Sequence, residues 1–235
     1  MKGKGFIYIP KFALVYARIP KCANTSIKTR LAELVLTKRV THRNQARDLQ
    51  PTNDRFWKKC TNEAKLLRPD RFTAIHDAVT SFTVIREPLG RLHSCYREKV
   101  LRETVFPPME RLGYRNTMTF ADFLDLTCAL EIDAMDVHTQ PQTFLISDSK
   151  GRLPNFIGLL DNLDADWARL SRLMEAKGVS LGGALPRLNS SRASPGKVDS
   201  AGEMTAIPAS TRRQVELTYG ADIKLYERLH LSQAN

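Results

Sequence analysis

The chain has 235 residues, 42% of them hydrophobic, enough for one sizeable domain with a real core, and it has no run of about 18 apolar residues, which argues against a membrane-spanning helix. Its 36 basic and 25 acidic side chains leave a net charge of +11, favouring an anionic partner such as a nucleotide, a nucleic acid, a membrane surface or an acidic glycan. The cysteines Cys22, Cys60, Cys95 and Cys128 are scattered, which suits reduced thiols and argues against a zinc or dithiol site.

Met1-Lys2-Gly3-Lys4-Gly5 is basic, but Pro10, Lys11 and Arg18 break the apolar residues after it, making a poor signal peptide. Ile9-Pro10-Lys11 reads as an edge or lead-in segment. Phe12 to Ala17 is an apolar, strand-favouring run and predicts a buried strand. Ile27, Leu31, Leu34 and Val35 then fall on one helical face. Between strand and helix lies a short turn, Arg18-Ile19-Pro20-Lys21-Cys22-Ala23-Asn24-Thr25-Ser26. Strand, tight loop and helix N-terminus together make a place for phosphate or sulfate, because the first helical N–H groups have no intrahelical partner and the helix dipole is positive there. Lys21 adds a full charge, and Thr25 and Ser26 add hydroxyl donors. The paired glycines and the Gly-Lys-Ser/Thr ending of a Walker A loop are missing.

Residues 38–71 form a strongly basic excursion of weak periodicity, with Phe56 and Trp57 available to pin it to the body. Phe72-Thr73-Ala74-Ile75-His76-Asp77 reads as a short strand ending in His-Asp. Phe82 to Ile85 predicts a buried parallel strand, Arg86 ends it, and Pro88 opens a helix whose face is Leu89, Leu92, Tyr96 and Val100. Arg102 and Arg111 lie in an irregular loop before a helix capped by Thr119 with Asp122 at its third position. Asp136-Val137-His138-Thr139-Gln140-Pro141-Gln142 comes next. Phe156-Ile157-Gly158 is strand-like, and the helix after it turns Trp167, Leu170, Leu173 and Met174 inward until Gly178. Residues 182–209 have the composition of a flexible loop. A last helix from Ser210 packs Tyr219, Ile223, Tyr226 and Leu229.

Several ordered segments carry a resemblance to a known family. The Pro-Lys-x-x-x-Thr-Ser order at Pro20–Ser26 is similar to the 5′-phosphosulfate loop of sulfotransferases that use 3′-phosphoadenosine 5′-phosphosulfate (PAPS). Arg86-Glu87-Pro88, Arg91-Leu92, Ser94 and Tyr96-Arg97 resemble the family's 3′-phosphate motif, most of all in the Golgi carbohydrate sulfotransferases and their bacterial relatives. Asp136-x-His138-x-x-Pro141-Gln142 resembles the family's segment near the acceptor, with Thr139 where Trp is usual. Phe156-Ile157-Gly158-x-x-Asp161-Asn162-Leu163 and Tyr219-x-x-Asp222-Ile223-x-Leu225-Tyr226-Glu227 are also family-like, with Asp161 in place of Glu.

The resemblance implies one α/β domain over residues 1–235, a central parallel sheet with helices on both faces in a P-loop-like sulfotransferase fold. It implies PAPS as cofactor, 3′,5′-ADP as product, no metal, and a carbohydrate or glycoconjugate hydroxyl as acceptor, one that the basic charge would suit to be anionic. Lys21, Cys22, Ala23, Asn24, Thr25 and Ser26 would hold the 5′-phosphosulfate, and Arg86 and Ser94 the 3′-phosphate. His138, Gln142, Arg102 and Arg111 would face the acceptor. A neutral histidine suits the general base at pH 7; His76 and His138 compete, with His76 favoured. Neither a nucleic-acid partner nor an integral membrane segment is implied. A full-length chain would stay in the cytoplasm, and an excised domain of an anchored enzyme would work in the Golgi lumen. The alternatives are a P-loop-like kinase, against which the missing Gly-Lys-Ser/Thr and magnesium carboxylates count, and a polyanion binder using residues 38–71.

Overall fold

A computed structural model describes residues 5–36, 50–60, 63–188 and 200–234. In chain order its elements are β1 (Phe6–Ile9), β2 (Leu14–Ala17), α1 (Asn24–Val35), α2 (Asp54–Lys59), β3 (Lys65–Leu67), α3 (Pro69–Ile75), β4 (Thr80–Ile85), α4 (Pro88–Cys95), α5 (Pro107–Glu110), α6 (Phe120–Ala129), α7 (Gln142–Ile146), β5 (Phe156–Leu159), α8 (Leu163–Glu175), α9 (Ser200–Thr205) and α10 (Ala209–Ala234). The chain divides into two units, Met1–Ile85 with Leu145–Ser190, and Arg86–Phe144 with Ser191–Asn235.

The first unit is α/β. Its five strands run in the order β3-β1-β2-β4-β5. β2 pairs parallel with β4, and β4 with β5. All six residues of β4 are buried, as a strand covered on both faces requires. The sheet is mixed where an all-parallel one is expected from sequence. Pro10–Phe12 form a single 3-10 turn and Ala13 is left-handed at φ 44°, a connection short enough only for an antiparallel hairpin, so Phe6 comes to lie opposite Ala17. β1 is therefore an interior strand. Its other side is covered by β3, three residues from the basic excursion, with Leu67 opposite Phe6.

The pleat sends Phe6 and Ile7 to opposite faces. Tyr16 and Phe82 stack at 5.0 Å and Phe82 meets Trp167 of α8 edge-on at 6.2 Å; Ile27 and Leu31 of α1, with Phe56 and Trp57 of α2, complete that core. On the other face Phe6 stacks on Phe72 of α3 at 4.5 Å. Gly158 lets α8 approach β5: a Cβ there would stand 3.0 Å from the Asp166 Cβ, and the Asp166 carboxylate accepts the Leu159 N–H at 2.7 Å.

The second unit is helical around its own core, which includes Leu92, Tyr96, Met109, Tyr114, Phe120, Phe123 and Tyr219. Thr119 and Asp122 form the expected capping box on α6.

Three local expectations change. The Phe72–Asp77 run is the end of helix α3 followed by a 3-10 turn, His76–Ala78, because Pro69 and Asp70 supply a helix start that outweighs three apolar residues. Leu173 faces outward, 41% exposed. In α10, which begins at Ala209, the buried row is Thr211, Val215, Tyr219, Asp222 and Leu225. The readings made for Lys38, Arg39, Arg43 and Arg47, and for Asn189 to Gly196, lie outside the described residues.

Candidate functional site

In the first unit, Arg18–Ala23 connect the carboxyl end of β2 to α1. Lys21 and Ala23 are both left-handed, at φ 72° and 52°. Neither is glycine, so each conformation costs on the order of 1–2 kcal/mol that the fold must offset. Left-handed residues alternating along a loop turn successive N–H groups toward one side, the arrangement that binds anions. Ala23 is the N-cap of α1 and makes no side-chain cap hydrogen bond; the first N–H groups of a helix are where an anion is bound when one is present.

The loop residues contribute unequally. Cys22 is fully buried, so it and Ala23 can offer only backbone groups. Lys21 and Thr25 are partly exposed. The Asn24 Oδ1 accepts from the Tyr16 hydroxyl at 3.3 Å. Ser26 is buried, and its hydroxyl donates to the Leu188 carbonyl at 3.5 Å and accepts the Leu188 N–H at 3.4 Å. Leu188 thus brings the chain to the first turn of α1 just before Asn189 and Ser190.

Beneath the loop, the Arg18 guanidinium pairs with Asp54, the first residue of α2. Lys28 of α1 is buried; its ammonium donates to the Thr52 carbonyl at 2.6 Å and stands 3.6 Å from Asp54. Burial, with the neighbouring Arg18 charge, pushes the Lys28 ammonium down to about 8. These contacts fasten α2 to the root of the loop.

In the second unit, Arg86 is the residue after β4. Glu87 caps α4, its carboxylate accepting from Leu89 N at 2.9 Å and from Gly90 N. The Arg86 guanidinium lies over Gly90: a Cβ there would come within 3.5 Å of Arg86 Nε, 3.9 Å of Nη2 and 3.0 Å of the Glu87 Oε2. Ser94 is one helical turn beyond Gly90, on the same face. Among the described residues the Arg86 guanidinium makes no ion pair, with Glu87 and Glu98 included, and the Ser94 hydroxyl makes no hydrogen bond. Both groups are partly exposed, so cation and hydroxyl share one side of the helix start.

Also in the second unit, Asp136 and His138 form a dyad. The Asp136 Oδ1 meets His138 Nδ1 at 2.6 Å and accepts the His138 N–H at 2.9 Å. The Phe106 ring packs edge-on against the imidazole at 5.6 Å, and the Lys99 ammonium lies 4.7 Å over that ring. Hydrogen bonds from His138 hold the Asp136 carboxyl below its ordinary value despite the upward push of burial. A carboxylate on Nδ1 fixes the tautomer that leaves Nε2 to accept a proton. Thr139, where the family usually has Trp, is fully buried; its hydroxyl donates to the Asp136 carbonyl at 3.0 Å, so it presents nothing to an acceptor.

Two assignments change. His76, the favoured base, is expected at the end of a short strand. It lies instead in the turn that precedes β4, at the amino edge of the sheet, whereas the loop leaves the carboxyl edge of the parallel neighbour β2. β2 starts with Leu14 opposite Thr80 and ends one residue after Tyr16, which pairs with Phe82, so its carboxyl end lies roughly 10 Å along the sheet from the start of β4. Its ring is also occupied, with Nδ1 3.0 Å from Asp77 Oδ1 and Nε2 2.9 Å from the Leu153 carbonyl. The 3-10 turn brings the adjacent side chains together, which a strand would have kept apart. Gln142, expected to face the acceptor, is 1% exposed, and its carboxamide bonds the Arg86 backbone. Arg102 and Arg111 are exposed and make no ion pair among the described residues. Sequence reasoning misses Asp136 as the partner of His138, although the i, i+2 spacing in a turn is visible.

Among the described residues no group of three or more His, Cys, Asp or Glu could hold a metal ion, and no helix is long and apolar enough to cross a membrane. No curated protein and no solved structure matches the chain. The model of the Sulfotransferase family matches residues 4–227, across both units, and the chain belongs to that family.

Proposed function

We propose that this sulfotransferase takes its sulfuryl group from PAPS and delivers it to a hydroxyl of a carbohydrate or glycoconjugate. The observation that carries the donor assignment is the Arg86–Gly90–Ser94 face, where a guanidinium and a hydroxyl, with no partner among the described residues, stand over a position kept open by the lack of a Cβ. A guanidinium fork and a hydroxyl suit a phosphate monoester such as the 3′-phosphate of the nucleotide. The loop amides around Lys21 and Ala23, with Thr25, suit the 5′-phosphosulfate. The acceptor class rests on the family resemblance, and the net charge of +11 suits an anionic glycan.

The chemistry asks little beyond positioning and charge stabilisation, as in phosphoryl transfer. A bond forms between the acceptor oxygen and sulfur while the bond from sulfur to the bridging phosphate oxygen breaks. Lys21 neutralises the charge left on that oxygen. His138 Nε2 takes the acceptor proton, and Asp136 stabilises the imidazolium so formed. 3′,5′-ADP leaves.

The test is transfer from PAPS to a panel of neutral and acidic glycans, read as an 80 Da mass increase, a sulfuryl group replacing a hydrogen, with His138→Gln alongside. Transfer to a glycan that His138→Gln slows about 100-fold or more supports the reading. Full activity of His138→Gln removes the base assignment, and transfer only to non-carbohydrate hydroxyls removes the acceptor class.

A further inference from the structure

We propose that Gln142 and Asp222 are positioning residues that set the affinity for the nucleotide's 3′-phosphate by fixing the backbone of Arg86. The inference rests on reading Arg86 as the ligand of that phosphate. Strand pairing ends with Ile85 opposite Leu159, so the next residue has no ladder partner. Gln142 supplies one. Its Oε1 accepts the Arg86 N–H at 3.0 Å and its Nε2 donates to the Arg86 carbonyl at 2.8 Å, so one planar group satisfies both backbone groups of one residue. Only a side chain with an acceptor and a donor on one rigid plane can do this. Glutamate lacks the donor, and asparagine is a methylene short.

Gln142 is held in turn. Asp222 of α10 is 1% exposed; its Oδ2 accepts the Gln142 N–H at 2.6 Å, and its Oδ1 accepts from Thr143 N at 2.8 Å and from the Thr143 hydroxyl at 2.7 Å. The buried carboxylate thereby caps the start of α7 with three donors. On the other side of Arg86, the Glu87 carboxylate ties the chain to Leu89 N and Gly90 N. Arg86 is immobilised through its backbone alone, while its guanidinium stays open among the described residues. Ordering the arginine before the ligand arrives lowers the entropy lost on binding. Pro141-Gln142 and Tyr219-x-x-Asp222, distant in sequence, thus serve one residue.

The test is calorimetric binding of 3′,5′-ADP and AMP to wild type, Gln142→Met, Asp222→Asn, Arg86→Ala and the Gln142→Met/Arg86→Ala double variant. AMP lacks the 3′-phosphate and reports on the rest of the site. Wild type should prefer 3′,5′-ADP; a lack of preference would overturn the reading of Arg86 itself. Given that preference, Gln142→Met should lose about tenfold in 3′,5′-ADP affinity and none for AMP, and the double variant should bind no more weakly than Arg86→Ala. Asp222→Asn should shift the same way. Equal losses for both nucleotides, no loss for either, or additive losses in the double variant would overturn the proposal. Should Gln142→Met fail to fold, Gln142→Glu, which keeps the volume and one of the two hydrogen bonds, carries the same comparison.

Discussion

On the function proposed above, the two units would take an anion by different means. In the first, the loop from β2 to α1 is a backbone device: left-handed residues at Lys21 and Ala23 and an N-terminus with no side-chain cap, with the Lys21 charge at its centre. In the second, the start of α4 is a side-chain device: Arg86 and Ser94 on one face, with the backbone beneath them clamped by Gln142 and Glu87. A backbone site costs strain and tolerates side-chain change. A side-chain site costs a supporting network and fails when any member is removed.

The largest effect should come from Lys21→Met, which keeps the stem and removes the charge. We expect kcat to fall about 100- to 1,000-fold while 3′,5′-ADP affinity falls far less, because the lysine acts on charge that develops during transfer. Steady-state kinetics with a calorimetric titration checks this. Equal losses in rate and product affinity would merge the two devices into one.

A mirrored pair of substitutions sharpens the contrast. Gly90→Ala places a Cβ 3.0 Å from the Glu87 Oε2, so it should cost about 1–2 kcal/mol and weaken 3′,5′-ADP binding. Ala23→Gly relieves the left-handed penalty and should leave stability within about 1 kcal/mol of wild type, with the nucleotide still bound. Chemical denaturation and ligand titration read both. A disabling Ala23→Gly would contradict a backbone site.

The smallest effect is a pH dependence beneath the loop. The Lys28 ammonium is lowered from 10.5 to about 8 in the folded protein. Between those values the unfolded chain holds a proton that the folded chain has released, so stability attributable to Lys28 rises with pH there, and the burial penalty is complete below about 8. Relative to Lys28→Met, wild type should therefore gain stability from pH 7.5 to 10, by denaturant titration. A flat or falling difference would mean that the buried network does not hold Lys28 as described.

The two histidines show what the sequence can convey. The β2–loop–α1 unit is legible because an apolar run meets a helical period, and Pro88, Thr119 and Asp122 announce their helices by local signals. Phe72–Ile75 is too short for periodicity to separate strand from helix, and that error carries His76 to the wrong edge of the sheet. β3, with three residues, leaves no pattern at all. Gln142 and Asp222 stand in recognisable motifs, yet their roles depend on bonds to backbone 56 and 80 residues away, which no local spacing encodes.

The central claim, a site for a nucleotide phosphorylated at both ends, is tested most directly by thermal stabilisation with 3′,5′-ADP, AMP and ATP without magnesium, on wild type and Arg86→Ala. At about 100-fold excess over its dissociation constant, 3′,5′-ADP should stabilise wild type by about 2.7 kcal/mol. Arg86→Ala should lose most of that gain, and the other two nucleotides should produce little. Stabilisation by ATP alone, or an undiminished gain in Arg86→Ala, would contradict the account.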